Sequence, residues 1–449
     1  MAHNGNARRS DAESVMWPQV AFVLSVLALT LIGFVMIYSA SQVSILSSAA
    51  SAGNLSDANP AEYLIDQLKF AVIGVVLAAL LWKFIPPEKW KGPWLWVVYA
   101  GALALLLMTA FMGTTALGAQ RWLVLGPISL QPSEFAKIAF ILMAARIADD
   151  YNEGVLVGRP LIVQIVVLLV LPIAFLYKTQ SDLGTTIIIF IGILSVMWLG
   201  EVSMKVILAT LAVAFVAALF AIFGTGYRTD RLVVYNPWND GQNGYGDGYQ
   251  TIHSFYAFAE GGIFGVGLGN SREKFDYLPE AETDFVFSII GEELGMVGAL
   301  LVVGLFMVLL FAGLRIARAA NSNFGTMVAG SCTIMIVFQA FLNIGCVIGL
   351  VPTTGKPLPF VSSGGSSLIA TFIMVGLVLS VASRADTTTI YDRRRANLRV
   401  VRAVDDDAPR ERTRFGDELA PTFGRGRTQG RRQPTYDSRT RGGSRTSRR

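Results

Sequence analysis

Charged side chains are rare in this chain, so the places where they fall limit what it can do. The stretch YLPEAETDFVFSIIGEELG, residues 277–295, carries Glu280, Glu282, Asp284, Glu292 and Glu293 before or inside an apolar run that reaches Leu314. Asp284 stands where a helix is predicted to begin. It is either a cap that accepts backbone N–H groups or a carboxylate placed for proton transfer. Glu292 and Glu293 lie roughly 12 Å further along at 1.5 Å per residue. Carboxylates at that depth are costly unless paired or facing water, so they either fix helix packing or belong to a site. Arg121 offers a planar fork of donors suited to phosphate, and Trp122 a flat face for a sugar ring or an anchor in the interfacial belt. Lys137 follows Glu134 at i,i+3, the spacing of a local ion pair or of a lysine that snorkels outward.

The elements that must hold these residues are membrane helices. The chain has 449 residues, of which 53% are hydrophobic and 15% charged, and its mean hydropathy is +0.51. That balance excludes a soluble globular protein. Runs long enough to cross the hydrocarbon core fall at about 18–39, 66–85, 93–112, 132–148, 160–177, 182–199, 204–223, 284–314, 323–350 and 363–383. The fold class is therefore an all-α polytopic bundle of about ten spans. Its fourth span is the least apolar, because Glu134, Lys137 and Arg146 interrupt it. A β-barrel is not supported, since the runs lack alternation.

Lys and Arg in the short loops place both termini in the cytoplasm, and residues 40–65 on the other side contain neither residue. Residues 1–17 read as a cytoplasmic tail and 18–384 as the membrane domain, with a large outer loop at 224–283. The first span reads as an anchor that is not cleaved. Residues 385–449 are rich in Arg, Ser, Gly and Thr and read as a disordered basic tail that holds the anionic leaflet, ahead of a protein partner or nucleic acid; no nucleic acid partner is expected. Cys332 and Cys346 share the ninth span and read as free thiols. Gly262, Gly265, Gly267 and Gly269 lack the strand–turn–helix context of a phosphate loop and suit a tightly turned or re-entrant segment. His253 has no Cys/His cluster around it, which argues against zinc.

Under this topology the carboxylates, cations and aromatics gather on the extracytoplasmic side. A substrate with a lipid tail, an anionic phosphate link and a polar head fits that set.

The segments GAQRWLVLGPISLQPSEFAK, QSDLGTT, GYQTIHSFYAFAEGGIFGVGLGNSREKFDYLPEAETDFVFSIIGEELG and GLVPTTGKPLPFVSSGGSS resemble, in order, the motifs of the SEDS family (shape, elongation, division and sporulation) of bacterial peptidoglycan polymerases. The resemblance spans about residues 18–384. GVGLGNSREKFDYLPEA and IGEELG look more like the division type, while GAQRW and PLPFVS also occur in the elongation type.

The resemblance implies a multi-pass protein of the bacterial cytoplasmic membrane that polymerises lipid II, the undecaprenyl-pyrophosphate-linked disaccharide peptide. It also implies a class B penicillin-binding protein as partner, with other division or elongation proteins. Asp284 matches the family's essential aspartate and would be the general base. Arg121, Lys137, Arg228, Arg231 and, more weakly, Lys356 would meet the pyrophosphate, with Trp122 in the site wall. Asp182, Glu134, Glu282, Glu292 and Glu293 would support the site. The sequence departs from the family pattern at Ser181, usually proline, at Glu282, usually histidine, and at His253, often glutamine. Glu282 is a candidate either to raise the pKa of Asp284 or to help hold Mg²⁺ or Mn²⁺. The alternatives are an elongation-type polymerase and a lipid II flippase, although no internal repeat of the transporter kind is visible.

Overall fold

The computed structural model describes residues 4–51, 53, 59–116, 119–125, 128–223, 235–246 and 248–384. Arg228, Arg231 and the basic tail from residue 385 lie outside them. In chain order the helices are α1 (Asn4–Ser51), α2 (Glu62–Phe84), α3 (Pro87–Trp90), α4 (Pro93–Met112), α5 (Pro132–Asn152) and α6 (Arg159–Ile165). A π-helical turn, Val166–Val170, joins α6 to α7 (Leu171–Gln180). Then come α8 (Leu183–Leu199), α9 (Met204–Phe223), α10 (Tyr249–Gly261), α11 (Val286–Glu293), α12 (Gly295–Arg318), α13 (Asn323–Val347) and α14 (Gly365–Ala382).

Among the described residues, seven helical stretches are long and apolar enough to cross a membrane: Met16–Ser51, Glu62–Phe84, Pro93–Met112, Arg159–Gln180, Gly295–Arg318, Asn323–Val347 and Gly365–Ala382. Shorter apolar helices occupy Leu183–Leu199 and Met204–Ala214. The chain is a polytopic membrane protein.

Burial sorts the helices into an inner and an outer set. The apolar windows of α13 and α14 are each 78% buried, whereas that of Arg159–Gln180 is 11% buried and faces outward. α13 packs on α8 and α12, α14 on α2, and α1 on α12. Helix α5, the least apolar of the expected spans, is buried along almost its whole length. Its neighbours are protein rather than lipid, so it can hold charge if the charge is paired.

The structure corrects two expectations. The run 284–314 is not one helix, because the chain breaks between α11 and α12 at Leu294–Gly295. Residues 262–267 repair the break: the N–H groups of Val266 and Gly267 donate to the carbonyls of Glu292 and Glu293, and those of Met296 and Val297 donate to Gly262 and Ile263. Gly265 and Gly295 both have positive φ, +81° and +67°, and a Cβ on either would run into the other segment's backbone. The glycine-rich stretch is thus a tight backbone-to-backbone turn against the helix break. Second, the loop between α4 and α5 holds a small antiparallel sheet of β1 (Thr114–Ala116), β2 (Ala119–Leu125) and β3 (Ile128–Leu130), in the order β1-β2-β3. Trp122 pairs with Thr114, and Leu123 with Leu130.

Helix α1 runs past its expected end at residue 39 and its extension forms a wall beside the outer segments. Ser39 donates to Glu293 at 2.7 Å, Ser44 to Glu282 at 3.5 Å and Ser47 to Asp276 at 2.7 Å. Cys332 and Cys346 are free and buried.

Candidate functional site

Asp284 sits in the turn that leads into α11, not at its cap. The N-cap position is Phe285, with no side-chain capping bond. The turn is tied by bonds from the N–H groups of Thr283 and Phe285 to the Glu280 carbonyl. No helix dipole acts through a capping bond to keep Asp284 ionised. Burial first, and then the negative charge of Glu280, raise its pKa from 3.8, the charges of Lys356 and Arg121 oppose them, and the net value is about 6. A carboxyl that titrates near 6 is poised to accept and release protons at physiological pH.

The loop that carries Lys356 approaches Asp284 closely. Gly355 has φ +64°, and a Cβ there would lie 3.3 Å from Asp284 Oδ2. Lys356 Nζ bonds Asp182 Oδ2 at 2.7 Å and stands 3.8 Å from Glu134 Oε1. Burial lowers the Lys356 pKa, but the Asp182 and Glu134 carboxylates outweigh it and the net direction is up. Asp182 is the N-cap of α8 and accepts from the Thr185 N–H at 3.0 Å and its hydroxyl at 2.8 Å. Ser181 takes a left-handed φ of 47° at the end of α7.

Arg121 is half-buried on β2. Its Nε donates to the Gln180 carbonyl and its Nη2 to the Ser181 carbonyl, both at 3.0 Å. Its charge therefore stands at the α7–α8 turn, within reach of Asp284. Trp122, the next residue on the strand, is also half-buried.

Lys137 and Glu134 pair at 2.6 Å with both side chains 0% exposed, as their i,i+3 spacing predicts. Lys137 also donates to Gln339 Oε1 at 2.8 Å. Lys356 is equally enclosed, at 2% side-chain exposure. Both lysines are held in a buried lattice with Glu134 and Asp182, so each is already paired within the protein.

Glu292 and Glu293 form a separate cluster. Glu292 accepts from Ser271 Oγ and the Arg272 N–H, both at 2.5 Å. Glu293 accepts from Ser39 Oγ and, at 3.0 Å, from Lys274 Nζ. These carboxylates fasten the outer segment 269–274 to the bundle, which accounts for their depth. His253 bonds Glu273 at 2.6 Å and lies among Tyr249, Tyr256 and Tyr277.

The donor set for a divalent cation does not assemble, since among the described residues no group of three or more His, Cys, Asp or Glu side chains comes together. Glu282 contacts Ser44 and burial raises its own pKa, while the carboxylates whose charges raise that of Asp284 are Glu280 and, to a lesser extent, Asp182.

Sequence reasoning did not single out Gln339 or Asn343. Asn343 Nδ2 donates to the Asp284 carbonyl at 2.7 Å and to the Lys356 carbonyl at 2.8 Å. The signal was available: two amides one helical turn apart in an otherwise apolar span.

Residues 19–387 match the FtsW/RodA/SpoVE family, described as a cell cycle protein. The chain belongs to this family. A relative from Geobacter metallireducens named probable peptidoglycan glycosyltransferase FtsW is 36% identical over 372 residues, covering 82% of this chain and 96% of the relative. Stage V sporulation protein E of Bacillus subtilis is 36% identical over 378 residues, covering 81% and 97%. Among solved structures, a chain from a study of polymerisation and crosslinking by a peptidoglycan synthase complex aligns with TM-score 0.61 at 29% identity, covering 81% of this chain and 96% of that one. The rod shape determining protein RodA of Thermus thermophilus aligns with TM-score 0.57 at 27% identity, covering 81% and 96%.

Proposed function

We propose that this protein is a peptidoglycan glycosyltransferase of the division type that polymerises lipid II at the outer face of the bacterial cytoplasmic membrane. The observation that carries the mechanism is the Asp284 carboxylate held against the Gly355–Lys356 loop, with the Arg121 fork at the neighbouring α7–α8 turn. Family membership and relatives named as FtsW glycosyltransferases support the reaction class.

The acceptor sugar hydroxyl gives its proton to Asp284 as its oxygen forms a bond to the anomeric carbon of the donor. The bond from that carbon to the phosphate oxygen breaks, and the pyrophosphate leaves with the electron pair. Arg121 meets the charge that develops, because two of its donors already reach the turn at Gln180–Ser181 and its remaining N–H groups belong to the same fork. Trp122 forms part of the sugar-facing wall. Lys356, Asp182, Glu134 and Lys137 hold the loop and helices that frame the site, with no net charge among the four. Arg228 and Arg231 are proposed as further cations on the outer loop.

The membrane topology follows from the same reading. The seven long apolar stretches, joined by α5, α8 and α9, make ten crossings with both termini in the cytoplasm. A class B penicillin-binding protein is the proposed partner, in keeping with the peptidoglycan synthase complex among the structural neighbours.

The test is lipid II polymerisation by the protein purified with its transpeptidase in the presence of a penicillin, so that strands are not cross-linked. Glycan strands from the native protein and none from Asp284→Ala are expected. Equal product from both would overturn the assignment of Asp284, and product from neither would overturn the polymerase reading.

A further inference from the structure

Gln339 and Asn343 lie one helical turn apart on α13, 1% and 2% exposed, in the most enclosed part of the bundle. A buried amide in a membrane span is costly unless its donors and acceptor are used. Both donor hydrogens of Asn343 Nδ2 are used, one on the Asp284 carbonyl at 2.7 Å and one on the Lys356 carbonyl at 2.8 Å. Gln339 Nε2 donates to the next carbonyl of the same loop, Pro357, at 2.9 Å, while its Oε1 accepts from Lys137 at 2.8 Å. Two amides on one face of one helix thereby grip three elements: the turn that carries Asp284, the loop that carries Lys356, and α5.

We infer that Asn343 is a positioning residue for the polymerisation, setting the Asp284 carboxylate against the 355–357 loop, with Gln339 holding the far end of that loop to Lys137. The inference rests on the reading of Asp284 as the base.

Three features favour this over a helix-packing amide. Asn343 contacts only backbone carbonyls of the two site segments, 59 and 13 residues away in the chain, and neither belongs to a helix that would place it independently. The amide orientation is fixed, because the flipped rotamer would set Oδ1 against two carbonyl oxygens. Oδ1 is itself buried without a partner, so the residue is arranged for its two donors at the expense of its acceptor. An asparagine kept only for packing would be replaced without loss by an apolar side chain of similar size.

The experiment compares native protein, Asn343→Ala, Asn343→Asp and Asp284→Asn, each purified with the transpeptidase and assayed with lipid II in the presence of a penicillin across pH 5–8. Asn343→Asp keeps the shape but replaces the donors by oxygens facing two carbonyls, and it adds a negative charge on the Asp284 side of α13. The charged groups that face Asp284 in that profile are Glu280, Lys356, Arg121 and Asp182. The expected result is a kcat at least tenfold lower in both Asn343 variants with KM for lipid II within twofold of native. In Asn343→Asp the acidic limb of the pH–rate profile should also move upward by half a unit or more. Native kcat in Asn343→Ala, or a loss in Asn343→Asp with an unmoved limb, would overturn the inference while leaving the polymerase reading intact. Failure of both variants to give monodisperse protein would also overturn it, marking the amide as structural. An inactive native complex would overturn both readings together.

Discussion

Replacing Asp284 by asparagine should do two opposite things at once. A carboxyl whose pKa is about 6 in the folded protein and 3.8 in the reference state favours its proton by about 3 kcal/mol at 1.36 kcal/mol per unit, which partial solvent access reduces to about 1–3 kcal/mol. The sign follows from linkage: a raised carboxyl pKa contributes stability that is present below about pH 4 and is lost as pH rises through about 6. Asparagine resembles the protonated form without titrating. Asp284→Asn should therefore match the native protein in stability near pH 4 and exceed it by about 1–3 kcal/mol at pH 7.5, while polymerisation falls about 10²–10⁴-fold because the base is gone. The assay pairs thermal unfolding of both proteins in detergent at pH 4.5 and 7.5 with lipid II polymerisation across pH 5–8. In the native protein the rate should rise with a midpoint near 6. A variant no more stable at pH 7.5 than at pH 4.5 relative to native, together with a rate limb near 4, would refute the burial argument.

Other perturbations test the surrounding structure. Lys356→Met leaves Asp182 buried without its 2.7 Å partner and should cost about 3–5 kcal/mol in thermal unfolding, most of which returns in the double variant with Asp182→Asn. Arg121→Lys should raise KM for lipid II at least tenfold, because an ammonium cannot span the Gln180 and Ser181 carbonyls as the fork does; an unchanged KM would remove Arg121 from the site. Asp240 accepts the N–H groups of Gln242, Gly244 and Gly246 at 2.8 Å each, and these bonds, that of Gly244 foremost, hold its pKa at about 2. Its folded pKa lies below the unfolded value, so the order it lends its turn is present above about pH 4 and lost as pH falls through about 2. Amide exchange at residues 242–246, corrected for intrinsic rate, should lose protection over that window in the native protein and lack it throughout in Asp240→Ala.

The bundle was legible because hydropathy marks spans by length alone, and Asp284 was legible because a carboxylate abutting an apolar run is rare. Partners were not, because they come from far along the chain. The depth of Glu293 left helix packing and a site equally open, and it is Ser39, 254 residues away, and Lys274 that make it a clamp. Lys356 read as a phosphate ligand from its loop, and only the folded chain brings Asp182 against it. Helix α5 looked like a weak span because hydropathy assumes lipid on the outside, whereas its surroundings are other helices. The break at Leu294–Gly295 hid inside an apolar stretch because the residues that complete its hydrogen bonds, 262–267, precede it by some thirty positions.

That repair also fixes how much sequence variation the outer loop can absorb. Most exposed connections accept insertions at little cost, because loop closure depends only weakly on length. Residues 262–267 cannot. Four of the backbone groups there, the Gly262 and Ile263 carbonyls and the Val266 and Gly267 N–H groups, are matched to partners at 296, 297, 292 and 293, so adding one residue shifts the register and strands several polar groups at once beside an apolar helix. An epitope tag or reporter placed between Gly262 and Gly267 would therefore disable the protein.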